Sequence, residues 1–165
     1  MIGCRVPTRL MGVNARSPHD GENVRRVTHQ HASGVEISTY AFGKTVASDF
    51  ATAVTRVTEE LGKVGFGVLS EIDVAATLKK KLGVEISPYR ILGACNPQFA
   101  SQALALEPQI GVLLPCNVVV RQDKTGAVYV EFMDPNAVLR LVHQPQIEVI
   151  AAEVRGRLVQ VMNAL

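Results

Sequence analysis

Apolar residues recur along this chain with two different periods, and where one period gives way to the other the elements of a mixed fold can be read. Val35 to Phe42, VEISTYAF, alternates as a strand does, with Val35, Ile37, Thr39 and Ala41 on one face and Glu36, Ser38 and Tyr40 on the other. Phe50, Val54, Val57, Leu61 and Val64 then form one stripe of a helix, with Ser48 as the expected cap and Gly62 and Gly65 at the expected end. Phe66 to Glu71, FGVLSE, predicts a second strand reached by a tight turn. Asp73 is placed to cap a brief helix that turns Val74, Leu78 and Leu82 inward and stops at Gly83. Pro88 to Cys95 is apolar on both faces after Arg90, so this third strand is expected centrally in a sheet.

The pattern continues with Asn96 as a cap and Pro97 as the first position of a helix reaching Leu106, with Phe99, Ala103 and Leu106 inward. Glu107 and Pro108 end it, and Ile110 to Leu114 is an apolar link. Cys116 to Gln122 and Ala127 to Met133 flank the turn Asp123-Lys124-Thr125-Gly126, the firmest hairpin signal in the chain. Asp134-Pro135-Asn136 breaks the second of these strands, and Ala137 to Val142 suits one or two helical turns. A last helix, Gln144 to Ala164, carries Ile147, Ile150, Val154, Leu158, Val161 and Leu165 on one stripe that should cover a sheet face.

Composition adds a boundary. Residues 1–34 hold five arginines and two acids and show no sustained apolar period, whereas the remainder of the 165 residues is close to neutral, with 12 Lys and Arg against 13 acids. We therefore expect a disordered basic arm over 1–34 and a single α+β domain over 35–165. A flexible tail, a targeting arm and an upstream start codon are all compatible with the arm. His29 and His31 within it resemble half a metal site, but no partner ligands follow, and solvated histidines account for them.

The near-neutral body argues against a nucleic-acid surface. Lys79, Lys80 and Lys81 form its only basic run, which a solvated helix end explains. No apolar run approaches the roughly 18 residues of a membrane span, and the amino terminus lacks the apolar core of a secretory signal. Three cysteines, one of them in the arm, make no disulfide framework, and the expected location is cytoplasmic.

Two short words stand out, ILGACNP at Ile91 to Pro97 and LPCNV at Leu114 to Val118, each placing Cys directly before Asn. Cys95, just ahead of a helix start, invites a lowered pKa and a role as nucleophile or soft-metal ligand, against the plainer reading of a buried thiol filling a strand end. If the strand opened by Cys116 neighbours the third strand, the two thiols can approach, to bind Zn or Cu(I), to form a redox disulfide or merely to pack. His143 is the only histidine of the body able to join them, and two thiols and one imidazole fall short of a closed zinc site of about four ligands. Asn96 and Asn117 suit a helix cap and a turn, and both can also orient a ligand. Glu71, Asp73 and Asp134 are the remaining acid/base candidates. The glycines of VGFGVLSE lead into a strand instead of opening a helix, so they make no phosphate loop, and no serine stands in a G-x-S-x-G elbow.

The words GFGVLSEID (Gly65 to Asp73), TLKKKLG (Thr77 to Gly83), PYRILGACNP (Pro88 to Pro97), ALALEPQIGVLLPCNVVV (Ala103 to Val120) and MDP (Met133 to Pro135) occur in that order. In them the chain resembles the family catalogued as domain of unknown function 302, over about residues 36 to 165. The resemblance implies a compact two-layer α+β fold similar to the TATA-binding-protein-like class, and a homodimer. It assigns no activity, so it carries positions only: ACNP at Ala94 to Pro97 and PCN at Pro115 to Asn117.

The expected fold is thus an α+β two-layer sandwich, a mainly antiparallel sheet of about five strands packed by helices in the order β-α-β-α-β-α-β-β-α. The expected function is that of a non-catalytic, cytoplasmic, homodimeric protein that binds a small ligand or a partner at Cys95, Asn96, Cys116 and Asn117. No cofactor is required by this reading. The competing expectation is a thiol-based redox or soft-metal protein using Cys95 and Cys116, with His143 as a further ligand. A third is a dimer module, which would leave an apolar face exposed on the monomer.

Overall fold

The computed structural model describes residues 38–165. The basic arm, with His29 and His31, and the start of the expected strand at Val35 lie outside the described residues. Within them the elements are β1 (Ala41–Val46), α1 (Phe50–Lys63), β2 (Gly67–Asp73), α2 (Val74–Leu82), β3 (Tyr89–Cys95), α3 (Pro97–Leu106), β4 (Cys116–Gln122), β5 (Val128–Met133), α4 (Pro135–Val138) and α5 (Pro145–Ala164), with 3-10 turns at Pro108–Leu113 and Leu139–Val142. The sheet order is β1-β5-β4-β3-β2, and every neighbouring pair is antiparallel. The α+β class and the order of elements are as the sequence predicts. β3 has neighbours on both sides, while the middle position belongs to β4.

One face of the sheet carries the core. Partners across the ladder share a face, so Leu92 and Val118, Val120 and Val130, and Phe132 and Phe42 point the same way. All six are buried, against Val57 and Leu61 of α1 and Ile147, Val154 and Leu158 of α5. The long stripe read on the last helix is the buried one, down to Val161.

Local chemistry sets most boundaries. Asp73 Oδ1 accepts from the Ala76 N–H at 2.8 Å and starts α2, and Gly83, at φ 68°, ends it. α1 is capped by Asp49, whose Oδ1 accepts from the Thr52 N–H, and not by Ser48 one residue earlier. β1 also begins later than VEISTYAF suggests. Just ahead of it the Ser38 hydroxyl accepts from the N–H groups of Tyr40 and Ala41 in a local turn, and the Tyr40 carbonyl accepts from the Asp134 N–H. The strand then runs on through Gly43 and Lys44 to Val46, paired with Met133 through Val128.

Two inward stripes need correction. α2 buries none of its residues, and Leu82 is 69% exposed. Leu106 of α3 is also exposed, and Ala103 alone of that helix is fully buried. In β2 the pairing steps from Val68 opposite Ala94 to Ser70 opposite Gly93, so Leu69 is an extra, unpaired residue. No described helix is long and apolar enough to cross a membrane.

Candidate functional site

The two Cys-Asn words lie beside each other but are not equivalent. Cys116 opens β4 opposite Ala94, and both belong to the buried core. Asn117 is opposite Gly93 and points to the other face, where it is exposed. Cys95 follows Ala94 in β3, so strand alternation sends it to the face of Gly93 and Asn117, away from Cys116. Asn96 has left the strand. It is 5% exposed, and its Oδ1 accepts from the N–H groups of Gln98 at 3.1 Å and Phe99 at 3.3 Å. Of the four candidates, then, Cys95 and Asn117 share the outer sheet face, Cys116 faces the helices, and Asn96 caps α3.

That cap shapes the chemistry of Cys95. The N–H groups at the start of α3 already have an acceptor in Asn96, and Cys95 stands one residue upstream of the cap. Burial pushes its pKa up, contrary to the lowering expected from the helix dipole. Cys116 is pushed up to about 11, first by burial and then by the neighbouring Cys95. Both are free thiols. Cys95 is therefore expected to react with a disulfide reagent before the buried Cys116, and each only as pH rises past the ordinary thiol range, measured by release of the reagent's chromophore. The linked effect on folding has a definite sign. Stability contributed by the neutral Cys116 thiol is intact below its unfolded pKa and is lost as pH rises toward about 11.

Asn96 is a structural residue in this setting. Asn96→Ala is expected to cost about 1–2 kcal/mol, as for other lost N-caps, in urea unfolding. Asn96→Asp, which keeps the accepting oxygen, should lose less.

His143 is exposed, takes a left-handed backbone at φ 54° and ends the turn before α5. Among the described residues no group of three or more His, Cys, Asp or Glu side chains is gathered so as to hold a metal ion, so His143 does not join Cys95 and Cys116 in one ligand set. The carboxylates also have structural partners. Arg90 Nη1 donates to Glu71 Oε1 at 2.5 Å and Nη2 to Asp73 Oδ2 at 2.9 Å. Asp134 caps α4 and accepts from Arg155 Nε at 2.9 Å.

The outer sheet face has a middle that is not polar. Ile72, Ile91 and Val119 lie along one ladder row that continues to Glu131 and Gly43, while Met133 at the end of β5 packs against the core. No described helix covers the three apolar residues of that row: Ile72 is 49% exposed and the other two are half-buried. Arg121 bonds Glu131 through Nε and Nη2 at 2.9 and 2.7 Å and lies 4.1 Å from the Tyr129 ring centroid, forming a polar margin. This pair was legible in the hairpin, because the turn at Asp123–Gly126 sets Arg121 opposite Tyr129 and diagonal to Glu131. A second feature carries no sequence motif. A cleft of about 520 Å³ opens between α2 and the start of β3, lined by Phe50, Ala75, Ala76, Lys79, Glu85, Ile86, Pro88, Tyr89, Asp73 and Arg90.

A comparison with curated proteins found no match. Among solved structures, the chain is similar to one described as the crystal structure of an uncharacterized conserved protein DUF302 from Bacillus stearothermophilus. The two share 29% identity and superpose with a TM-score of 0.71, covering 76% of this chain and 98% of that one. The family model described as domain of unknown function DUF302 matches residues 42–165, which takes in every strand but the first residue of β1 and both Cys-Asn words. With the fold and the length of that match in agreement, this chain belongs to the DUF302 family.

Proposed function

We propose that this chain is a non-catalytic, cytoplasmic binding protein that works as a homodimer, carried by residues 35–165 as one domain. The observation that carries the reading is the outer sheet face. Ile72, Ile91 and Val119 form an apolar band that no described helix covers, with Arg121, Glu131 and Asn117 beside it. An apolar middle with a polar margin is the anatomy of an interface between proteins. Cys95 and Asn117 stand on the same face, so a partner or small ligand held there would meet both.

Light scattering after size exclusion tests this. The wild-type chain is expected to elute as a dimer, and Val119→Arg, which sets a charge in the band, as a monomer of unchanged fold. A wild-type monomer at all concentrations, or a dimer indifferent to the substitution, would count against the face. Small ligands of the native state should raise the melting temperature.

The alternative is a thiol-based redox or soft-metal protein that uses Cys95 and Cys116 toward Zn or Cu(I). Its support is proximity: the residues lie on adjacent paired strands, and Cys95 raises the pKa of Cys116. Their opposite facing and raised pKa values weigh against it. Metal content and thiol reactivity of untagged protein, beside Cys95→Ser and Cys116→Ser, decide the matter; no change in either variant sinks it.

A further inference from the structure

The cleft beside α2 exists because that helix stands off the core. Small side chains, Ala75 and Ala76, form one wall, while Phe50, Ile86 and Pro88 supply an apolar surface opposite. Its volume of about 520 Å³ is in the range of small-ligand sites. Two ion pairs make up the polar part of the lining. Arg90 with Asp73 is the firmer, since Arg90 is also held by Glu71 and its guanidinium lies 5.8 Å from the Phe50 ring centroid. Lys79 with Glu85, at 2.7 Å, is the looser, for both side chains are more than two thirds exposed.

We propose that this cleft binds a small zwitterion with an apolar body, of the chemical class of the apolar α-amino acids. The loose pair selects that class. An exposed ion pair is worth only about 0–1 kcal/mol, so parting Lys79 from Glu85 costs little. A ligand carboxylate then takes Lys79 and a ligand ammonium takes Glu85, and the apolar body covers the Phe50, Ile86 and Pro88 surface. An anion alone leaves Glu85 without its cation, and a cation alone leaves Lys79 without its anion. The site is separate from the outer sheet face and does not depend on dimerisation there.

Nitrogen–proton correlation spectra of the full chain, titrated with L-phenylalanine, 2-phenylethylamine and 3-phenylpropionate, test the inference. L-phenylalanine is expected to give saturable shifts at Ala75, Ala76 and Glu85 to Arg90. The two analogues, each lacking one charge, should bind more weakly by up to about five-fold, the most that an exposed ion pair contributes. Lys79→Ala and Glu85→Ala should each weaken L-phenylalanine by a similar factor. Ala76→Trp, at an exposed helical position, should fill the cleft and abolish the shifts while the rest of the spectrum stays as in the wild type. Absence of saturable shifts in the cleft, equal binding of the three compounds, or wild-type affinity in the Lys79 and Glu85 variants would overturn the proposal. Light scattering on the same samples reads the dimer separately, so failure here is distinguishable from failure at the sheet face.

Discussion

Phe132→Ala is expected to destabilise the protein by about 3–5 kcal/mol, as large-to-small changes at fully buried aromatic positions do. Phe132 has no exposed surface and is among the largest fully buried side chains. Its ring stacks on Phe42 of the neighbouring strand, with centroids 5.5 Å apart and planes 16° from parallel. It is also paired with Val118 on the other side, so its ring ties β1, β5 and β4 together on the core face. The chain offers little to replace it, having five phenylalanines and no tryptophan in 165 residues. Domains of this kind hold about 5–15 kcal/mol of stability in total, so the variant should unfold at a far lower urea concentration. A midpoint within error of the wild type would show that the surrounding side chains close the space.

Gly43→Ala is the second large effect expected, and its cause is backbone contact. A Cβ on Gly43 would come within 2.7 Å of the Glu131 Cα and closer still to the Val130 carbonyl oxygen. Neither atom can move without opening the β1–β5 ladder, so the loss should reach about 3 kcal/mol, the upper part of the overpacking range. The amide protons of β1 should exchange faster in step with it. Gly62→Ala is the control. Nothing lies within 4 Å of a Cβ there, and the position is in the last turn of α1, where alanine should be favoured by about 0.5–1 kcal/mol. If the two substitutions had equal effects in urea unfolding, close approach would not be the reason for Gly43.

The parts of the fold that could be read in the sequence are those decided within a few residues. Asp73 and Asn96 cap helices through their own side chains, Gly83 closes one, and the Asp123–Gly126 turn specifies the β4–β5 register. The stripes on α1 and α5 were legible because helical period and burial agree there. On α2 they part company. Val74, Leu78 and Leu82 have the spacing of a buried face, but whether a surface waits opposite is settled by the rest of the fold. β1 was misplaced for a related reason, since Gly43 and Lys44 dilute the apolar alternation of a strand that its partner β5 nevertheless fixes.

The candidate site shows the same division. Two Cys-Asn words look alike in one dimension, and the register of β3 on β4 turns Cys95 and Asn117 to one side and Cys116 to the other. No local pattern contains that register. Nor does any local pattern contain the cleft, whose walls come from Phe50, from α2 and from the segment Glu85 to Arg90.

The unpaired Leu69 has a consequence for how this sheet can grow. Among the described residues β2 and β1 are its two edges, and an edge strand offers a row of N–H and C=O groups to any passing strand. On β2 the extra residue breaks the row midway and strengthens the local twist. On β1, Lys44 points to the core side beside Val130, and its ammonium would be desolvated by a further strand laid along that edge. Both borders thus carry features that disfavour the addition of a further strand, and a sheet so bordered is poorly suited to growing into a filament of stacked strands.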